Sequence, residues 1–304
     1  MLFSGKGGVG KTTVAAATAL WLSKKKKVLV ISIDPAHSLG DSFQQKIGGE
    51  IKQLADNLYG LEIDPAKAVE EYKEKFAGAA EKMDILKGLG LEGAFDIAGL
   101  TPGIDEIAAF DKFLRFMSSD EYDVIIFDTA PTGHALRFLS LPDVLDSWVG
   151  KMITLRLKFA GIAGMFKKLL PFGGGDDGME KFGAEQLEGM KERIKVAKKL
   201  LTDKKRTHFW LVAIPEAMSI VESARACSTL KAAHIPVEGM VVNNMVPKNS
   251  CSFCSARRKM QEKNVATIKK EFSSLKIRQL PLFPHEIGGI QQLEKIGKLL
   301  YEKK

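Results

Sequence analysis

Apolar runs alternate with amphipathic stretches along much of the chain. Lys27–Asp34, Leu58–Asp64, Asp123–Asp128, His208–Ile214, Gly239–Asn244 and Arg278–Phe283 are short, β-rich and closed by polar or glycine residues. Continuous apolar strands of this kind are buried on both faces. Helical patterns lie between them, for example Lys11–Ser23 and Met218–Ala233. Strands alternating with helices predict an α/β fold with a doubly wound parallel sheet. Only Met1–Phe3 precede the first glycine-rich loop, so strand 1 is either very short or lacks its natural start.

Residues 65–120 and 145–185 break the alternation and read as helix after helix. Tyr72, Phe76, Ala80 and Met83 share a face, as do Ile107, Phe110, Leu114 and Met117, with Phe113 close by. Met152, Leu155, Phe159, Ile162, Phe166 and Leu169 form a third stripe at spacings of three and four. These stretches hold 9 of the 17 Phe and 5 of the 11 Met. Such residues build adaptable apolar surfaces, or simply pack against one another. The expected division is therefore a sheet domain over 1–64, 121–144 and 186–304, with an inserted helical subdomain over 65–120 and 145–185. No internal repeat is present.

Composition narrows the class. The 304 residues are 45% apolar and 27% charged, as in a globular protein. Three cysteines exclude a disulfide scaffold and suggest a reducing compartment. The longest apolar run, Phe159–Phe166, is too short to span a bilayer. A cytoplasmic location is expected. The net charge of +8 is uneven: 1–150 carry −6, whereas 151–206 and 207–304 carry +7 each. The basic half suits an acidic partner or a membrane surface, or is a solvated lysine-rich face. No nucleic-acid module accompanies it, so no nucleic acid partner is expected.

The sharpest chemical signal is Gly5-Lys6-Gly7-Gly8-Val9-Gly10-Lys11-Thr12-Thr13. Gly5, Gly10, Lys11 and Thr12 complete the phosphate-loop pattern GxxxxGK[ST]. Glycines let backbone N–H groups converge on phosphate oxygens, and the following helix turns its positive end to them. Lys11 would reach the β- and γ-phosphates of ATP, and the Thr12 hydroxyl would hold Mg²⁺. Lys6 marks the deviant Walker A subclass. Its members resemble one another in dimerising face to face, which implies that Lys6 acts on the partner's nucleotide.

Two further segments follow strands. Asp34 opens DPAHSLGD at a carboxyl end, where it would orient an attacking water or cap a turn before Pro35. Asp128 follows DVIIF as a Walker B acid, placed to contact Mg²⁺. The segment Thr129-Ala130-Pro131-Thr132-Gly133-His134 would respond to the γ-phosphate. His37 and His134 are candidate hydrogen-bonders in these switches. Cys251-Ser252-Phe253-Cys254 supplies two thiolates, where a structural zinc takes four, so a dimer would complete the set. The same spacing suits a redox pair or an iron–sulfur cluster. Cys227 reads as a small buried residue.

GKGGVGKTT, DPAHSLGD and DTAPTGHALRFLSLP together resemble the ArsA family. Within it they are most similar to the branch that targets tail-anchored membrane proteins. The resemblance spans Leu2 to about Leu300. It implies that Asp34 is the catalytic aspartate, that Glu216 contacts nucleotide and that Asn243 reads adenine. It places Pro281 and Phe283 in a second adenine-side loop, and departs from the family where Ser38 replaces a common asparagine. It implies zinc held by Cys251 and Cys254 across the dimer interface. It also implies that the Met/Phe-rich stripes form a groove for a client's transmembrane helix. Phe76, Met83, Phe110, Phe113, Met117, Met152, Leu155, Phe159 and Phe166 are the candidate lining.

The expectation is an ATP-hydrolysing homodimer, or a tetramer when client-loaded, with a transient membrane receptor. The alternatives are an arsenite-transport ATPase subunit and an iron–sulfur carrier ATPase. A septum-positioning membrane ATPase would need an apolar C-terminal anchor, and Gly289–Lys304 carries little apolar bulk.

Overall fold

The structure is a computed structural model and describes residues 1–33, 38–64, 67–68, 70–71, 104–129 and 177–302. Its first half runs β1 (Leu2–Ser4), α1 (Lys11–Ser23), β2 (Val28–Ser32), α2 (Ser38–Phe43), β3 (Lys52–Ala55), β4 (Leu58–Glu62), α3 (Ile104–Met117) and β5 (Val124–Asp128). The second half runs α4 (Asp177–Thr202), β6 (Phe209–Ala213), α5 (Ala217–Ala232), β7 (Val237–Met245), α6 (Ser252–Glu271), β8 (Lys276–Pro281) and α7 (Ile290–Tyr301). The described strands form one sheet in the order β3-β4-β2-β5-β1-β6-β7-β8. Every neighbouring pair is parallel except β3–β4. This is the doubly wound α/β sheet expected from the sequence.

Both faces of the sheet are covered, which is why its strands read as continuous apolar runs. Successive side chains point to opposite faces. Leu29, Ile31, Phe127, Phe209, Leu211, Met240 and Val242 meet Phe113, Ile194, Ala197, Ala226 and Ile268 from α3, α4, α5 and α6. Val28, Val30, Ile126, Trp210, Val212 and Val241 meet Val14, Ala17, Phe43, Leu293 and Ile296 from α1, α2 and α7. β1 lies at the centre of the sheet, where Leu2 and Phe3 are buried between β5 and β6.

The structure corrects several expectations. α3 lies within 65–120, yet Phe110, Phe113 and Leu114 are buried in the core under the sheet. The Phe113 ring stands 4.5 Å from the Phe127 ring of β5. Phe110 and Phe113 are therefore core residues, not groove lining, and half-buried Met117 packs at the edge of the same core. α4 runs unbroken across the expected boundary at 185/186. α7 buries Leu293, Ile296 and Leu300, so its apolar face is already used. Edge strand β3 escaped the sequence pattern because only Leu54 of its four residues is buried. Its signal was the Asp56-Asn57 turn, with Asn57 at φ 56°, which closes the hairpin to β4. Phe76, Met83, Met152, Leu155, Phe159 and Phe166 lie outside the described residues.

Candidate active site

The phosphate loop leaves the carboxyl end of β1, the strand from which the chain winds outward in both directions. In open α/β sheets this is where ligands bind. Gly8 and Gly10 take positive φ angles of 76° and 91°. A Cβ on Gly5 would collide with the Val212 carbonyl of β6, and one on Gly10 would come within 2.5 Å of Asn243 Nδ2. Backbone shape and close approach thus both require glycine here. Gly10 is the residue from which α1 starts, so the helix's unpaired N–H groups open toward the loop. Lys11 is 6% exposed and Val9 1%.

Other predicted residues converge on this loop from neighbouring strands. Asn243 near the end of β7 donates from Nδ2 to the Val9 carbonyl at 2.9 Å. Asp128 ends β5, wholly buried and in register with Phe3 and Ser32. The Ile33 N–H donates to the Asp128 carbonyl at 2.9 Å, fastening the exit of β2 to the end of β5. Thr129 donates its hydroxyl to the Phe3 carbonyl at 2.9 Å. Thr12 Oγ1 lies 3.0 Å from Ser38 Oγ at the start of α2. The substitution at Ser38 therefore still faces the phosphate loop, through a hydroxyl pair.

The residues expected on the adenine side also stand at carboxyl ends. Glu216 is the residue before α5, just beyond β6, and its Oε1 accepts from Arg257 at 3.0 Å. Pro281 ends β8, and Phe283 packs on the α1 side of the core. The Leu282 N–H donates to the Met245 carbonyl at 2.7 Å, tying this loop to β7. Asp34, His37, Pro131, Gly133 and His134 lie outside the described residues.

Lys6 behaves differently from Lys11. Its side chain is 40% exposed and reaches only a 4.0 Å contact with Glu222 of α5. Sequence reasoning also passed over Ser4, whose buried hydroxyl beside the loop finds no partner among the described residues. It passed over Glu62 too, 4% exposed, which accepts from the Gly40 N–H of α2 at 2.8 Å.

These observations fit a nucleoside triphosphate with its magnesium. The loop has the left-handed glycines and a buried lysine, while Thr12 and Asp128 bring hard oxygen donors to its rim. A family model described as anion-transporting ATPase, ArsA ATPase, matches residues 1–302. The chain belongs to the ArsA ATPase family. It is 37% identical to ATPase GET3B of Arabidopsis thaliana, covering 99% of this chain and 78% of that one. It is 38% identical to ATPase get3 of Pyrenophora tritici-repentis, covering 97% and 89%. ATPase GET3C of Arabidopsis thaliana is 38% identical over 99% and 82%. The activity of this ArsA-family protein is therefore ATP hydrolysis.

The cysteine pair sits apart from the loop, at the start of α6. Cys251 is the residue before the helix and Cys254 lies in its first turn. The backbone N–H and the thiol of Cys254 hold the Cys251 thiol below its ordinary value. Among the described residues no group of three or more His, Cys, Asp or Glu could hold a metal. One chain thus offers two sulfurs. Cys227 is buried on α5, and burial pushes its thiol up.

Proposed function

We propose that this ArsA-family ATPase is a homodimeric chaperone that binds the transmembrane segment of tail-anchored membrane proteins and delivers it to the membrane. Similarity to ATPases named GET3 over 97–99% of the chain supports the targeting role. The observation that carries the dimeric reading is Lys6. It stands in the phosphate loop yet extends to the surface instead of into its own cradle. A partner's nucleotide is the fitting target for that charge.

Within each subunit Lys11 would neutralise the β- and γ-phosphates, and Thr12 and Asp128 would hold Mg²⁺. The metal supplies charge neutralisation between the phosphates. Asp34 would orient the attacking water. His37, Thr129, Pro131, Gly133 and His134 would form the switches that respond to loss of the γ-phosphate. Asn243, Glu216, Pro281 and Phe283 would hold the adenosine.

Cys251 and Cys254 of both subunits would together bind one zinc ion, giving four thiolates. The lowered Cys251 thiol favours a metal-binding thiolate. Residues outside the described set, including Phe76, Met83, Met152, Leu155, Phe159 and Phe166, would line the client groove. A membrane receptor would receive the loaded complex, in the cytoplasm, as a dimer or client-bound tetramer. Buried Cys227 offers no support to the arsenite alternative.

The test is co-purification of the dimer with a tail-anchor peptide in the presence of a non-hydrolysable ATP analogue. Protection of that peptide from aggregation is expected. Failure to protect it, with ATPase activity intact, overturns the chaperone reading.

A further inference from the structure

Glu62 is a buried carboxylate outside the phosphate loop. It ends β4, in register with Ser32 at the end of β2. Its Oε1 accepts the Gly40 N–H at 2.8 Å. Burying a carboxylate is costly unless hydrogen bonds compensate, and charge-assisted bonds are the strong ones.

The bond has a specific use. α2 has only six residues, Ser38–Phe43. A helix that short does not hold itself in water. Gly40 is its third residue, and the first four N–H groups of any helix have no partner inside it. Glu62 supplies one of those missing partners from a strand 22 residues further along the chain. Gly40 is also hemmed in, since a Cβ there would come within 2.8 Å of the Gln45 carbonyl oxygen.

α2 is fastened at both of its ends as well. Ser38 Oγ lies 3.0 Å from Thr12 Oγ1 in the phosphate loop. At the other end, the Gly289 N–H donates to the Ser42 carbonyl at 3.0 Å, joining α2 to the start of α7. Between those ends, Leu39 and Phe43 are buried against the α1 layer. Without the carboxylate, the Gly40 N–H would lose the acceptor that joins the helix to β4.

We infer that Glu62 is a positioning residue for ATP hydrolysis, which holds α2 by the Gly40 N–H so that the Ser38 hydroxyl stays on Thr12. Its effect passes through α2, so it belongs to turnover more than to ATP affinity, which the phosphate loop provides.

Purified full-length protein carrying Glu62→Ala, Glu62→Gln or Glu62→Asp tests this. Three readouts apply: kcat and KM for ATP, amide exchange of residues 38–43 without nucleotide, and thermal unfolding. Glu62→Ala should lower kcat about tenfold, the loss of one charge-assisted hydrogen bond. KM should stay within about threefold, and the 38–43 amides should lose protection while the sheet keeps its own. Glu62→Gln retains an acceptor oxygen and should restore both protection and kcat. Wild-type exchange and kcat in Glu62→Ala overturn the assignment. A Glu62→Gln as impaired as Glu62→Ala also overturns it, because charge rather than the bond to Gly40 would then matter. If Glu62→Ala does not fold, Glu62→Asp decides. Its shorter side chain withdraws the acceptor, so wild-type exchange at 38–43 in that variant defeats the proposal and lost protection supports it.

Discussion

Asn243 Nδ2 donates to the Val9 carbonyl at 2.9 Å, so a residue of β7 holds the phosphate loop from the side. With that N–H committed, the amide oxygen is the atom left to accept from a nucleobase amino group. On the proposed reading, Asn243 serves loop shape and base contact together. Asn243→Asp would set a carboxylate against the Val9 carbonyl and should weaken ATP binding more than Asn243→Ala. The alanine variant leaves one carbonyl unpaired and should cost about 1–3 kcal/mol of stability. Nucleotide titration and thermal unfolding check both. Equal affinities in the two variants would show that the bond to Val9 is unimportant.

Phe113 is wholly buried, with its ring 4.5 Å from Phe127. Removing a core ring of this kind costs about 3–5 kcal/mol. Phe113→Ala should therefore lower the midpoint of denaturant unfolding, with client binding affected only through loss of folded protein. A variant of wild-type stability that fails to bind a tail-anchor peptide would return Phe113 to the groove.

The difference between these residues shows what the sequence carries. The phosphate loop was legible because its chemistry is local: φ angles, glycine spacing and a lysine all lie within nine residues. The sheet was legible because double burial makes each strand a continuous apolar run. Phe113 was not, since a helical apolar stripe is the same whether it faces a sheet or a client. Glu62 was equally hidden. Its partner Gly40 is local to another element, and nothing in LEID distinguishes a buried acceptor from a solvated one. β3 was missed because an edge strand with one buried residue has no periodicity to read.

Glu238 gives a pH dependence away from the active site. Burial raises its pKa, but the Lys276 hydrogen bond and the His208 and Lys276 charges outweigh that, so its carboxyl lies below the ordinary 4.5. The contacts are short, 2.7 Å to Lys276 Nζ and 2.6 Å to His208 Nδ1. A lowered carboxylate pKa stabilises the fold above the unfolded value. That contribution fades as pH falls below about 4.5 and through the folded value. The difference in unfolding temperature between wild type and Glu238→Gln should accordingly hold at milder pH and shrink as pH falls below about 4.5. A constant difference down to acid unfolding would remove Glu238 as the source.

Lys6 and Glu222 meet at 4.0 Å with side chains 40% and 34% exposed. An ion pair this open contributes at most about 1 kcal/mol, so it does not hold Lys6 in place. Glu222→Gln should leave turnover within about twofold. Lys6→Ala should leave ATP binding and unfolding temperature unchanged yet lower kcat about a thousandfold, as for other transition-state charges supplied in trans. Mixing two inactive proteins, Lys6→Ala and Asp34→Asn, gives the decisive measurement. If Lys6 acts across the dimer, a mixed dimer has one complete site. That site takes Asp34 from the Lys6→Ala subunit and Lys6 from the other. Partial turnover should therefore return on mixing and rise with subunit exchange. If Lys6 serves its own loop, every site in the mixture lacks one of the two residues, and the mixture stays inactive.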